Sequence, residues 1–315
     1  MHPALSVILF TTASGAGYGI IFWLGVLGET GAYPPDRTFG LLAFGLGLGG
    51  ITAGLLASTA HLGHPERAWR AFSQWRTSWL SREGVASLAT YVPAGLFGIG
   101  WVFLGENREI WGFLGVLAAA ASVVTIVCTA YIYRSLKTIQ RWCNAWVLPN
   151  YLALAAMTGA LWLDLAAVLT GEPFTPGAEA ALCSIPVAAF LKFGYWRFID
   201  ATHSTSTAES ATGLGSLGKV RLFEAPHTSD NYLMKEMGFH IARKHATKLR
   251  CIAVIAGFVL PCLLTAIALA MPGAIRVIAV LIAAPLATAG VLVERWLFFA
   301  EARHTVTLYY GASTA

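Results

Sequence analysis

The chain has 315 residues, of which 57% are hydrophobic and only 12% are charged, about half the charged share of a soluble domain. That composition excludes an ordinary water-soluble fold. The net charge of +5 then reflects topology and anionic lipid headgroups, with no nucleic acid implied.

A hydrocarbon core of about 30 Å needs roughly 20 apolar residues per helix. Runs of that size fall near 4–27, 39–61, 84–104, 111–133, 147–170, 180–199, 251–270 and 276–299. They are apolar on every face, whereas barrel strands would be shorter and alternating. The expected fold is an all-α integral membrane protein, a bundle of eight transmembrane helices forming one membrane domain over 1–315. Met1 to Ser6 carries no basic side chain and the first run is too long for a signal peptide, so it is expected to stay as a helix.

In the second run Gly45-Leu-Gly47-Leu-Gly49-Gly50 matches a dinucleotide fingerprint, but no strand precedes it. The spacings Gly45 to Gly49 and Gly50 to Gly54 instead predict close helix packing. His61 ends this run and Glu83 opens the next, joined by an arginine- and tryptophan-rich connection that contains Trp69, Trp75 and Trp79. Asp164 in the fifth run is expected to be hydrogen-bonded between helices or to serve a proton path. Lys192 lies in the sixth. Arg295 in the eighth returns to the depth of His61 and Glu83, and Glu294 beside it suggests an internal ion pair. Pro186, Pro261 and Pro285 are candidate helix breaks, which a secondary transporter would use.

Arg67, Arg70, Arg76, Arg82, Arg134, Lys137, Arg141, Arg197, Lys219, Arg221, Lys235, Arg243, Lys244, Lys248, Arg250 and Arg303 all fall on one set of alternating connections, which is 16 of the 21 basic residues. Arg37, Arg108 and Arg276 lie opposite. The positive-inside rule then puts both termini in the cytoplasm. The connection 201–250 reads as loop to Gly218, followed by a helix capped by Asp230, and is either a solvated connector or a docking arm for a partner. The five cysteines lack C-x-x-C spacing, so no cluster or disulfide framework is expected. Of the eight histidines only His61 adjoins a span interior, so no haem or metal is expected in this chain.

An imidazole, a carboxylate and guanidinium groups at one depth, walled by apolar helices and tryptophans, suit a lipid-soluble molecule with carbonyl or hydroxyl ends, such as a quinone. Interfacial anchoring by the same residues is the competing reading.

The stretch His61-Leu-Gly-His-Pro-Glu-Arg-Ala-Trp69, followed by Leu80-Ser-Arg-Glu83 opening a helix, resembles the signature of membrane-anchor subunits of the dimethyl sulfoxide reductase family. Glu294-Arg-Trp-Leu-Phe-Phe extends the similarity. The resemblance implies binding of ubiquinone or menaquinone at His61, Glu83 and Arg67, to which Arg295 is added by its depth. His61 and Glu83 would exchange the protons. It also implies a four-cluster iron-sulfur subunit and a molybdopterin catalytic subunit as partners. The cytoplasmic termini and Val220-Arg-Leu-Phe-Glu-Ala-Pro-His-Thr228 are similar to anchors of cytoplasm-facing sulfite dehydrogenases. These imply an inner-membrane chain passing electrons from sulfite oxidation to quinone, with quinol oxidation or transport as alternatives.

Overall fold

A computed structural model of the chain describes residues 5–60, 62–202, 206–224 and 244–312. Eight of its helices are long and apolar enough to cross a membrane. These are α1 (Leu5–Glu29), α2 (Arg37–Thr59), α3 (Trp79–Leu104), α4 (Ile110–Arg134), α5 (Val147–Thr170), α6 (Thr175–Ala201), α8 (Ala246–Ala270) and α9 (Ala274–Ala300). The short α7 (Ala208–Thr212) lies between α6 and α8. Low-dielectric surroundings explain the choice of helix, since each backbone polar group must be satisfied within its own segment.

The helix ends follow local chemistry. Asp36 caps α2 by accepting from the Phe39 N–H at 2.8 Å, and Ser78 caps α3 at Ser81 N. Gly105 and Gly171 close α3 and α5 in the left-handed conformation. Pro186 and Pro285 lie inside α6 and α9, which continue through them. Before Pro261, which lacks a backbone N–H, α8 widens into a π turn at Ile255–Val259. The helical breaks that a transporter reading requires are therefore not formed at Pro186 or Pro285.

Helices α1 and α5 are the most enclosed, with 61% and 72% of their apolar windows buried, and so form the centre of the bundle. Around them α1 packs on α2, α4 and α9, α5 packs on α6 and α9, and α3 packs on α4. Small residues set these distances. A side chain at Gly19 would strike the Ala155 carbonyl, and one at Gly17 would come within 2.5 Å of Gly47 O. The α1–α2 seam therefore uses Gly47, Gly50 and Gly54, the last two as expected. Gly45 and Gly49 depart from expectation, because they face outward with nothing within 4 Å.

The connection after α6 also differs from a plain loop. Thr207 and Ser210 form a capping box that starts α7, and the Tyr309 hydroxyl donates to Ala211 O at 2.8 Å. The helix expected from Asp230 falls almost wholly within 225–243, outside the described residues.

Gly19→Ala is expected to destabilise the chain by about 1–3 kcal/mol through overpacking. Gly45→Ala should leave it unchanged or slightly more stable. Thermal unfolding in detergent, scored on both purified variants, distinguishes the two; equal melting would refute the packing assignment.

Candidate functional site

By alternation, the C-terminal ends of α2, α4, α6 and α9 and the N-terminal ends of α1, α3, α5 and α8 share one membrane face. Glu83 stands four residues into α3 and Arg295 five residues before the end of α9, so both lie about 6–8 Å inside that face at 1.5 Å per residue. Lys192 is about 14 Å inside on α6. All three are buried, as is Glu294.

The Thr129 hydroxyl on α4 donates to Glu83 Oε1. Ser122, Thr125 and Thr129 line one side of α4, and Thr125 meets Thr90 of α3 at 3.2 Å. Nearby, the Tyr18 hydroxyl of α1 donates to Ser87 at 3.0 Å. Thr129, Tyr18, Thr11, Thr12, Tyr151 and Arg295 face a common internal cavity of about 20 Å³, room for one water-sized molecule.

Arg295 lies 3.9 Å over the Tyr151 ring and its Nε is 3.2 Å from Glu294 Oε2. Lys192 bonds the other oxygen of Glu294 and sits 4.1 Å over the Tyr195 ring. The internal ion pair expected at Glu294 and Arg295 is therefore present, and it includes Lys192 as a third member. Removing one partner of such a cluster leaves an uncompensated charge in low dielectric.

Nearer the surface, Arg250 donates to both oxygens of Asp200, at 2.6 and 3.0 Å, and to Glu301 Oε1 at 2.7 Å. Arg141 donates to Glu301 O at 2.8 Å. Burial is the main influence on Arg141 and lowers its pKa, opposed by Glu301.

Arg67 is placed differently. It lies on a surface 3-10 segment, Pro65–Gln74, with its side chain 56% exposed and 3.7 Å from Glu66. Trp69 and Trp75 are exposed there too, beneath Arg70 and Arg76, and so do not wall the buried polar groups. The segment is pinned to α3 by the Ser81 hydroxyl, which donates to Ala71 O, and by Arg82, which donates to Trp75 O at 3.0 Å and Arg76 O at 2.6 Å. His61 lies outside the described residues. The structure thus joins Glu83, through Thr129, to the cavity that Arg295 lines, and leaves Arg67 at the surface.

Asp164 stands toward the opposite face, where its backbone adjoins Gly177. Neither carboxylate oxygen has a hydrogen-bond partner among the described residues, so the expected interhelical hydrogen bond is not formed. Outside the spans, burial raises the Tyr33 hydroxyl pKa and the Asp164 charge adds to the rise. Among the described residues no His, Cys, Asp and Glu group could hold a metal ion, and the five cysteines are free.

Thr129, Tyr18 and Tyr151 are cavity residues absent from the sequence expectation. The signal was the Ser122, Thr125, Thr129 spacing, which puts three hydroxyls along one helix side. Their shared habit of bonding their own helix carbonyls hides which of them has a second partner.

Thr129→Val leaves the buried Glu83 without its donor and is expected to cost about 1–3 kcal/mol, while Thr129→Ser should retain nearly full stability. Detergent unfolding of the two variants checks this, and equal losses would show that the hydroxyl contributes nothing.

The family model described as DMSO reductase anchor subunit (DmsC) matches residues 1–311. The chain is also 31% identical to the C subunit of the sulfite dehydrogenase of Allochromatium vinosum, with 98% of this chain and 99% of that protein covered. Eight apolar spanning helices agree with a multi-pass anchor of an oxidoreductase complex. The chain belongs to the DMSO reductase anchor subunit family.

Proposed function

We propose that this anchor couples a cytoplasmic sulfite-oxidising complex to membrane quinone, with its termini and its polar face in the cytoplasm. The observation that carries the reading is Glu83: a buried carboxylate about 6 Å inside the basic face, held by Thr129 beside a cavity that Arg295 also lines. Sixteen basic side chains on the connections of that face support its cytoplasmic placement. The sulfite assignment rests on the relative's name.

The donor set, a carboxylate, hydroxyls and a guanidinium, fits the oxygens of a quinone. A volume of about 20 Å³ does not fit its ring. His61 and Glu83 would therefore hold the oxygens of the head group, and the inner cavity would serve water and protons. A bound quinone supplies the two-electron, two-proton acceptor.

Thr129 fixes Glu83 Oε1 and leaves Oε2 to hold or release a proton. His61 is the second proton-exchanging group. Arg295 cannot release a proton and acts through its fixed charge. Arg67, exposed beside Glu66, is placed to meet a carboxylate of a partner subunit or the rim of the site. The partners are an iron-sulfur subunit and a molybdopterin subunit, docked on the segment Pro65–Gln74 and the 201–250 connection. Electrons cannot readily cross a bilayer without a haem, so donor and acceptor meet on one face. The DMSO reductase anchor family favours one second reading, the same site run toward quinol oxidation.

In the purified complex, sulfite should reduce a short-chain ubiquinone, and Glu83→Gln and His61→Ala should each slow that step by about 100-fold. Sulfite oxidation by an artificial acceptor should persist at equal subunit stoichiometry. A Glu83→Gln complex that matches wild type overturns the site; a wild type that ignores sulfite and oxidises quinol with a sulfoxide reverses the electron direction.

A further inference from the structure

From the surface to the cavity, the space between α6 and α9, both packed on α5 and α8, contains more buried charge than anchoring requires. Asp200, with its side chain 53% exposed, meets water at the outer end and shares Arg250 with Glu301. Glu301, the C-cap of α9, lies seven residues beyond Glu294, two helical turns along the same side. Glu294 bonds Lys192 and adjoins Arg295, and Arg295 opens on the cavity whose Thr129 bonds Glu83. Tyr195 and Trp196 of α6 enclose Lys192, and Trp196 also lies 5.4 Å from Arg250.

Among the buried atoms along this line without a hydrogen-bond partner among the described residues are the acceptors Glu301 Oε2, Glu294 Oε2 and Thr12 Oγ1, with Arg250 Nε, Trp196 Nε1 and the Tyr151 hydroxyl beside them. Glu294 Oε2 has only the out-of-line Arg295 Nε, at 3.2 Å. Native structures rarely bury such atoms without a use or a water. A simple ion-pair staple would leave no such oxygen at both ends of a two-turn interval.

We propose that Asp200, Glu301, Lys192 and Glu294 form a proton route from the aqueous face to the Glu83 cavity. It rests on the quinone reading above and supplies that site's protons. A proton taken from water at Asp200 or Glu301 moves inward as Lys192 passes one N–H proton to Glu294, Glu294 gives one up from its other oxygen to the cavity, and Lys192 regains one from the Glu301 side. One proton enters, one arrives at Glu83, and every relay group ends in its starting state. Arg295 and Arg250 stay protonated and act as positioning residues.

The test uses the intact complex, with sulfite as donor and a short-chain ubiquinone as acceptor. Glu294→Gln should lower kcat for quinone reduction by about 100-fold, leave the quinone KM unchanged and raise the solvent deuterium isotope effect. Artificial-acceptor activity should be unaffected, and Glu294→Asp should recover much of the rate. Should Glu294→Gln fail to assemble, the charge-neutral Lys192→Gln/Glu294→Gln pair and the outer variant Glu301→Gln carry the same expectation. Wild-type rates in these variants, a loss confined to KM, or an unchanged isotope effect overturns the route while leaving the quinone site standing. A wild-type complex that leaves quinone untouched overturns the quinone reading, and the route with it.

Discussion

The cluster of Lys192, Glu294 and Arg295 is the constraint around which the α6–α9 half of the bundle is arranged. Each of these side chains is almost wholly buried, and an isolated charge there would be prohibitively unfavourable. They can coexist only if α6 and α9, each packed on α5 and α8, keep one rotational setting, with Tyr195, Trp196 and Tyr151 supplying ring faces for the cations. Their mutual attraction offsets desolvation without producing a large surplus. What the cluster gives is specificity: any slippage of one helix along the other separates charges that cannot be solvated by lipid.

The opposite half of the bundle is held by contact. Hydrophobic burial does little between helices already in hydrocarbon, so van der Waals packing must serve instead. The approaches of Gly17 to Gly47 and of Gly19 to Ala155 allow backbones to meet where any side chain would collide. The central α1 therefore bridges the two halves, with glycines toward α2 and α5 and hydroxyls toward the cavity. Two of its hydroxyls, Thr11 and Ser14, bond back to its own carbonyls, which keeps them compatible with lipid while presenting oxygen to the interior.

Function divides along the same depth axis. The surface segment Pro65–Gln74 and the adjoining Trp75 show exposed tryptophans and arginines at the level of the lipid headgroups. Beneath it Glu83, Thr129 and Arg295 are shielded from bulk water. The proposed function uses both, the basic surface as a platform for partners and the enclosed carboxylate as the place of proton exchange.

The linear sequence determined the number of spanning helices, the basic face and the nearness of Glu83 and Arg295 to it, because these depend on hydropathy, on counting and on a constant rise per residue. Gly50 and Gly54 as packing residues were legible for the same reason, whereas Gly45 and Gly49 were not. They share the spacing, and only the rotation of α2 about its axis sends them outward. Depth likewise could not tell that Arg67 would stay on an exposed 3-10 segment while Arg295 turned inward. Nor could it pair Glu294 with Lys192, 102 residues away, or Thr129 with Glu83 across two helices. Those outcomes belong to the tertiary structure, since periodicity sets the level of a residue in the membrane and only helix packing sets the azimuth of its side chain.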